Sequence, residues 1–149
     1  DTGHRGVQRR HPGDHATRFP TSKGEALTAV GLMCRFFLGQ DPTKTPVMKL
    51  AAETCLSKKP VWNKDDGSID HYYWYYATYA LYQMGGRYWK EWSKSLTNAV
   101  VKTQRDDANN KGSWDPIGAW GEDGGRICST AILVLALEAY YRYSRVFVR

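Results

Sequence analysis

The stretch that decides the fold reads Gly112-Ser113-Trp114, then Gly124-Gly125, then Ser129-Thr130-Ala131-Ile132-Leu133-Val134-Leu135-Ala136-Leu137. Paired glycines permit the tight backbone that turns a chain inward, and Ser129 or Thr130 is placed to cap a helix N-terminus. The run that follows is apolar on every side, which predicts a helix buried all round and not along a single stripe. A weaker copy of this layout occurs earlier. Asp66-Gly67-Ser68 precedes a helix-like segment, Tyr72 to Met84, that stops at Gly85-Gly86.

Working outward, five helical segments emerge. The first, Glu25 to Leu38, carries Leu27, Val30, Leu32, Met33, Phe36 and Phe37, too broad a set for one surface stripe, and Gly39 ends it. The second, Val47 to Lys58, is amphipathic, with Val47, Leu50, Ala51, Thr54 and Cys55 on one face and Pro46 suited to its first turn. The third, about His71 to Met84, is crowded with tyrosines. Tyr72 to Tyr76 alone suits a strand, but its continuation to the glycine stop predicts a helix. The fourth, Tyr88 to Gln104, is amphipathic again, with Trp89, Trp92, Leu96, Ala99 or Val100, and Thr103 facing inward, and Lys90, Lys94 and Lys102 outward. The fifth runs from about Cys128 to Arg145.

Broadly apolar helices thus alternate with one-faced ones, and Gly39 and Gly85 lie 46 residues apart, a spacing typical of helical-pair arrays. This alternation predicts an all-α body of two layers, the apolar helices inside and the amphipathic ones packed outside them. Residues 1–23, rich in Gly, His, Arg and Pro, read as an extended basic arm before the helical domain of residues 24–149.

Charge and cysteine narrow the function classes. The net charge is +6 over 149 residues, but residues 1–23 hold +3 of it and residues 142–149 another +3. The body between them is neutral, which argues against a nucleic-acid interface, because that needs a basic face on the folded part. Cys34, Cys55 and Cys128 lie far apart, with no His or Cys at zinc-ligand spacing, so no metal and no cofactor is expected. Inside helices such thiols read as small apolar groups, which favours a reduced, cytoplasmic setting. No apolar run is long enough to span a bilayer. The opening Asp1-Thr2-Gly3 is compatible with an excised or processed piece.

Gln104 followed by Gly112-Ser113-Trp114 resembles the glutamine–tryptophan motif of squalene and oxidosqualene cyclases, with a longer gap between Gln and Gly. Gly124-Gly125 with Ser129-Thr130-Ala131 and Leu135-Ala136-Leu137 is similar to the start of an inner helix in those repeats. Tyr75-Tyr76-Ala77-Thr78 through Gly85-Gly86, Trp89 to Trp92, and Leu137-Glu138-Ala139-Tyr140-Tyr141-Arg142-Tyr143 look like bacterial prenyltransferase/squalene-oxidase-repeat proteins, most of which have no assigned activity. The resemblance covers roughly residues 25–143 and implies an α/α toroid, of which five helices make a partial ring. It departs from the catalytic members: there is no DxDD acid motif, no Asp-x-Cys with a following His for zinc, and no thioester sequence.

Two function classes follow. One is a non-catalytic toroid module that binds a protein, a peptide or an apolar ligand on its inner-helix face. The other is a fragment of a terpenoid-cyclase-like or prenyltransferase-like enzyme whose remaining repeats lie elsewhere. The candidate binding residues are Asp66, Asp70, Glu122 and Asp123 in the loops entering the inner helices, with Tyr72, Tyr76 and Trp120. Turn and cap chemistry explains the acids equally well, and core filling explains the rings. His71 reads as a surface residue at a helix start. The apolar faces of the first and fifth helices, at the ends of the array, predict self-association or burial against more of a longer parent chain.

Overall fold

A computed structural model describes residues 25–65 and 68–142, without the side chains of Glu122 and Arg142. The expected basic arm of residues 1–23 lies outside the described residues. The described chain is all-α: α1 (Glu25–Phe37), α2 (Pro46–Ser57), α3 (His71–Met84), α4 (Gly86–Val100) and α5 (Gly121–Arg142), with 3-10 turns at Val101–Thr103 and Ala108–Asn110. No strand occurs among these residues.

Helix α3 is the centre. It packs against α1 on one side, α5 on the other and α4 behind, with α2 covering α1. Nine of its residues are buried, from His71 to Tyr82, which is why its sequence is apolar almost all round. Side-chain pairs fix the directions. Tyr79 of α3 donates to the Leu135 carbonyl of α5, and Tyr82 meets Tyr140 nearer both C-termini, so α3 and α5 run parallel. Tyr73 meets Trp92 while Tyr82 meets Trp89, so α4 runs back against α3. Helices α1, α3 and α5 therefore form an inner layer, with α2 and α4 outside it.

Local chemistry sets most of the boundaries. Asp70 caps α3 by accepting from the Tyr73 amide at 2.9 Å. Gly85, at φ +67°, ends α3 and opens α4 at once, a conformation glycine adopts without penalty. Pro46 sits in the first turn of α2, where its missing N–H costs nothing.

Four expectations are corrected. The buried stripe of α2 is Met48, Ala52, Cys55 and Leu56, while Val47 and Leu50 face outward, Leu50 at 67% exposure. Both stripes are apolar, and packing against α1 selected the second. The fourth segment begins two residues earlier, at Gly86, and is α-helical only to Val100 before tightening into the 3-10 turn. Helix α5 starts at Gly121, seven residues earlier than expected, and kinks at Gly125 (φ +65°). Ser129 and Thr130 are consequently interior to the helix and do not cap it: Ser129 is buried, and the Thr130 hydroxyl lies 3.3 Å from the Trp114 amide. Finally, α1 and α5 are not buried all round. Leu27 is 75% exposed and Ile127 87%, because among the described residues each helix has a neighbour in the inner layer on one side only.

The Gln104–Trp114 segment ties α4 to α5. The Gln104 amide donates to the Gly112 carbonyl at 2.9 Å, closing the loop, and Trp114 enters the core with its indole donating to the Val100 carbonyl at 2.7 Å. Asp115 then bridges Arg105 (3.2 Å) and Arg126 (2.8 Å), binding both sides of the loop to the start of α5.

Candidate functional site

The parallel run of α3 and α5 brings their N-terminal ends together around a cleft of about 250 Å³, lined by His71, Tyr72, Trp120, Asp123, Gly124, Cys128, Ser129 and Ile132. The backbone shapes it. Gly124 packs so closely on Cys128 that a Cβ would fall 2.8 Å from its sulfur. Gly118, at φ +89°, lets the loop pass directly over the Ile69 carbonyl, which sets Trp120 above the start of α3.

Of the seven residues expected from the sequence, Tyr72, Trp120 and Asp123 line this cleft together. The Tyr72 and Trp120 rings lie 5.4 Å apart, and Tyr76 extends the aromatic wall 4.6 Å from Tyr72. Trp120 is 41% exposed and forms the outer lip. Asp70 spends an oxygen on capping α3 and is absent from the lining. Asp66 lies outside the described residues, as does the Glu122 side chain.

His71 is the site residue that the sequence misassigned. It is 5% exposed, not a surface group, with its ring stacked on Trp62 at 5.4 Å and tilted against Trp74 at 5.5 Å. Its Nε2 is buried without a hydrogen-bond partner. Burial lowers its pKa from 6.5 to about 4, so the imidazole is neutral at pH 7. Local sequence holds no signal of this, because the covering ring comes from a loop nine residues upstream. Burial also raises the Tyr72 hydroxyl's pKa, with help from Tyr76.

The thiols divide between surface and core. Cys55 is buried, its pKa pushed up to about 12 by desolvation, whereas Cys34 and Cys128 are exposed on their helices. No three His, Cys, Asp or Glu side chains gather as a metal-binding group among the described residues. None of the described helices is long and apolar enough to cross a membrane. In comparisons with family models, curated proteins and solved structures, none matches this chain.

Proposed function

We propose that this chain is a non-catalytic helical-repeat module, an arc of an α/α toroid, whose inner layer binds an apolar ligand or an apolar peptide side chain at the mouth between α3 and α5. The observation that carries this reading is the convergence of Tyr72, Trp120 and Asp123 on one cleft. Its volume of about 250 Å³ is near the lower bound of small-molecule sites, which suits a compact group over an extended polycyclic one. The rings supply apolar cover, and Asp123 orients a cationic or hydroxylated end. Neutral His71 adds no opposing charge. The alternation of layers supports the toroid, and the open outer faces of α1 and α5 are read as the places where the layer continues.

The test is a titration of short alkylamines and matching alkanols, followed by tryptophan fluorescence. Saturable quenching is expected in the native chain and its loss in Trp120→Ala. Asp123→Asn should weaken the amines and spare the alkanols. Unaltered affinity in both variants overturns the site.

A further inference from the structure

Gly124 lies within α5 and, unlike its neighbour Gly125, does not hold a positive φ. Backbone conformation therefore does not select glycine there; its contact with Cys128 does. A Cβ on Gly124 would stand 2.7 Å from the Cys128 Cβ and 2.8 Å from its Sγ, so any larger residue would cover or displace the thiol. Glycine leaves the sulfur open, and Cys128 is exposed where it lines the cleft. An accessible thiol is a strong nucleophile, acting as its thiolate.

Two further features of the cleft say what that thiol would meet. The Tyr72 and Trp120 rings, 5.4 Å apart, form with Ile132 an apolar wall. His71 lines the same cleft at 5% exposure, and its Nε2 has no hydrogen-bond partner. A buried polar atom left unpaired is costly, and an oxygen held in the cleft would relieve that cost. With the imidazole neutral and its proton on Nε2, the fitting oxygen is an acceptor, such as a carbonyl. A nucleophile, an apolar wall and an unmet donor together describe a carbonyl-bearing electrophile with an apolar chain.

We propose that Cys128 captures α,β-unsaturated carbonyl compounds that carry a short apolar chain. This rests on the reading of the cleft as an apolar-ligand site. The chain lies against Tyr72, Trp120 and Ile132, and the carbonyl oxygen accepts from His71 Nε2. The thiol gives up its proton to water, Sγ bonds to the β-carbon, the π pair moves to the α-carbon, and a proton returns there from water. The product is a thioether, and nothing is oxidised or reduced. The chain carries its own controls, because Cys34 is exposed but outside the lining and Cys55 is buried.

The test treats the reduced native chain with methyl vinyl ketone or pentyl vinyl ketone and counts adducts at Cys128 and Cys34 by peptide mass spectrometry. The ratio of Cys128 to Cys34 adducts is expected to rise about tenfold or more from the methyl to the pentyl ketone, because the added methylenes enter the apolar wall. Excess hexanol should cancel that rise, and so should Trp120→Ala. His71→Phe should slow both ketones at Cys128 and spare pentyl methanethiosulfonate, which has no carbonyl. Equal slowing of all these reagents, or of none, overturns the part given to His71. A ratio that ignores chain length overturns the proposal. If hexanol still quenches tryptophan fluorescence saturably in that case, the ligand reading stands and the capture alone falls; if quenching is also absent, both fall.

Discussion

Trp92 of the outer helix α4 donates its indole N–H to the Thr78 hydroxyl of α3 at 2.9 Å, and that hydroxyl donates to the Trp74 carbonyl at 2.6 Å. Both side chains are fully buried, so this relay is a polar pin between the two layers. Thr78→Val keeps the shape and removes the acceptor, leaving an indole N–H with no water to turn to. The expected loss is about 1–3 kcal/mol in urea unfolding, with the slope unchanged. Thr78→Ser keeps the relay and should lose roughly 1 kcal/mol, for the missing methyl. Equal losses in the two variants would remove the hydrogen bond from the account.

Two glycines should respond in opposite directions to alanine. Gly118 holds φ +89° over the Ile69 carbonyl, where a Cβ has no room, and the loop above the cleft must shift to admit one. Gly118→Ala is expected to destabilise by roughly 2 kcal/mol or more and to disturb Trp120 fluorescence. Gly31→Ala enters open space in a helix, and should stabilise the chain by about 0.5–1 kcal/mol. Thermal melts of both variants at one low concentration check the pair.

The helical body was legible because its periods were strong, and the failures show where local sequence stops being informative. The bounds His71–Met84 follow from residues in and beside the segment: Asp70 as cap, Gly85 as stop, and aromatics too many for one stripe. The face of α2 was not decidable, since Val47, Leu50 and Ala51 are as apolar as Met48, Ala52 and Cys55; only contact with α1 and α4 chooses. The start of α5 was misplaced because Gly121 and Gly124 look like loop residues. They are helical here, in positions where a Cβ would strike the Pro116 carbonyl and Cys128. Tyr72, Trp120 and Asp123 were legible as a group through the parallel inner layer, whereas His71 depended on Trp62, which no periodicity links to it.

Asp115 is expected to control the loop more than the body. Its carboxylate joins Arg105 and Arg126 while one-fifth exposed, and the hydrogen bond from Arg126, with the charges of both guanidinium groups, holds its pKa below the usual carboxylate range. Asp115→Ala should leave two guanidinium groups without their shared partner and cost roughly 1 kcal/mol globally, a modest figure because solvent screens the network. The larger signal should be local. The amides of Arg105 and Gly112, which bond the Ser113 and Arg105 carbonyls at 2.8 Å, should exchange hydrogen faster, with α3 unaffected. Uniform acceleration across α3 would mean that the network holds the whole fold.

His71 gives the chain a defined acid sensitivity. Its pKa falls from 6.5 to about 4 on folding, through burial among Trp62 and Trp74. Above pH 6.5 the ring is neutral in both states, and stability is at its full value. Between 6.5 and about 4 the unfolded chain takes up a proton that the native chain refuses, so stability falls with pH, by roughly 3 kcal/mol across the window. Below about 4 the native ring also protonates, and this contribution levels off. His71→Phe keeps a flat ring between the two tryptophans and removes both the titration and the unpartnered Nε2. Its unfolding free energy should be nearly flat from pH 6.5 to 4.5 and should exceed that of the native chain at pH 7 by about 1 kcal/mol, the cost of burying an unpaired polar atom. Urea midpoints measured in half-unit pH steps check both statements; a variant that keeps the native slope would assign the acid sensitivity to the carboxylates.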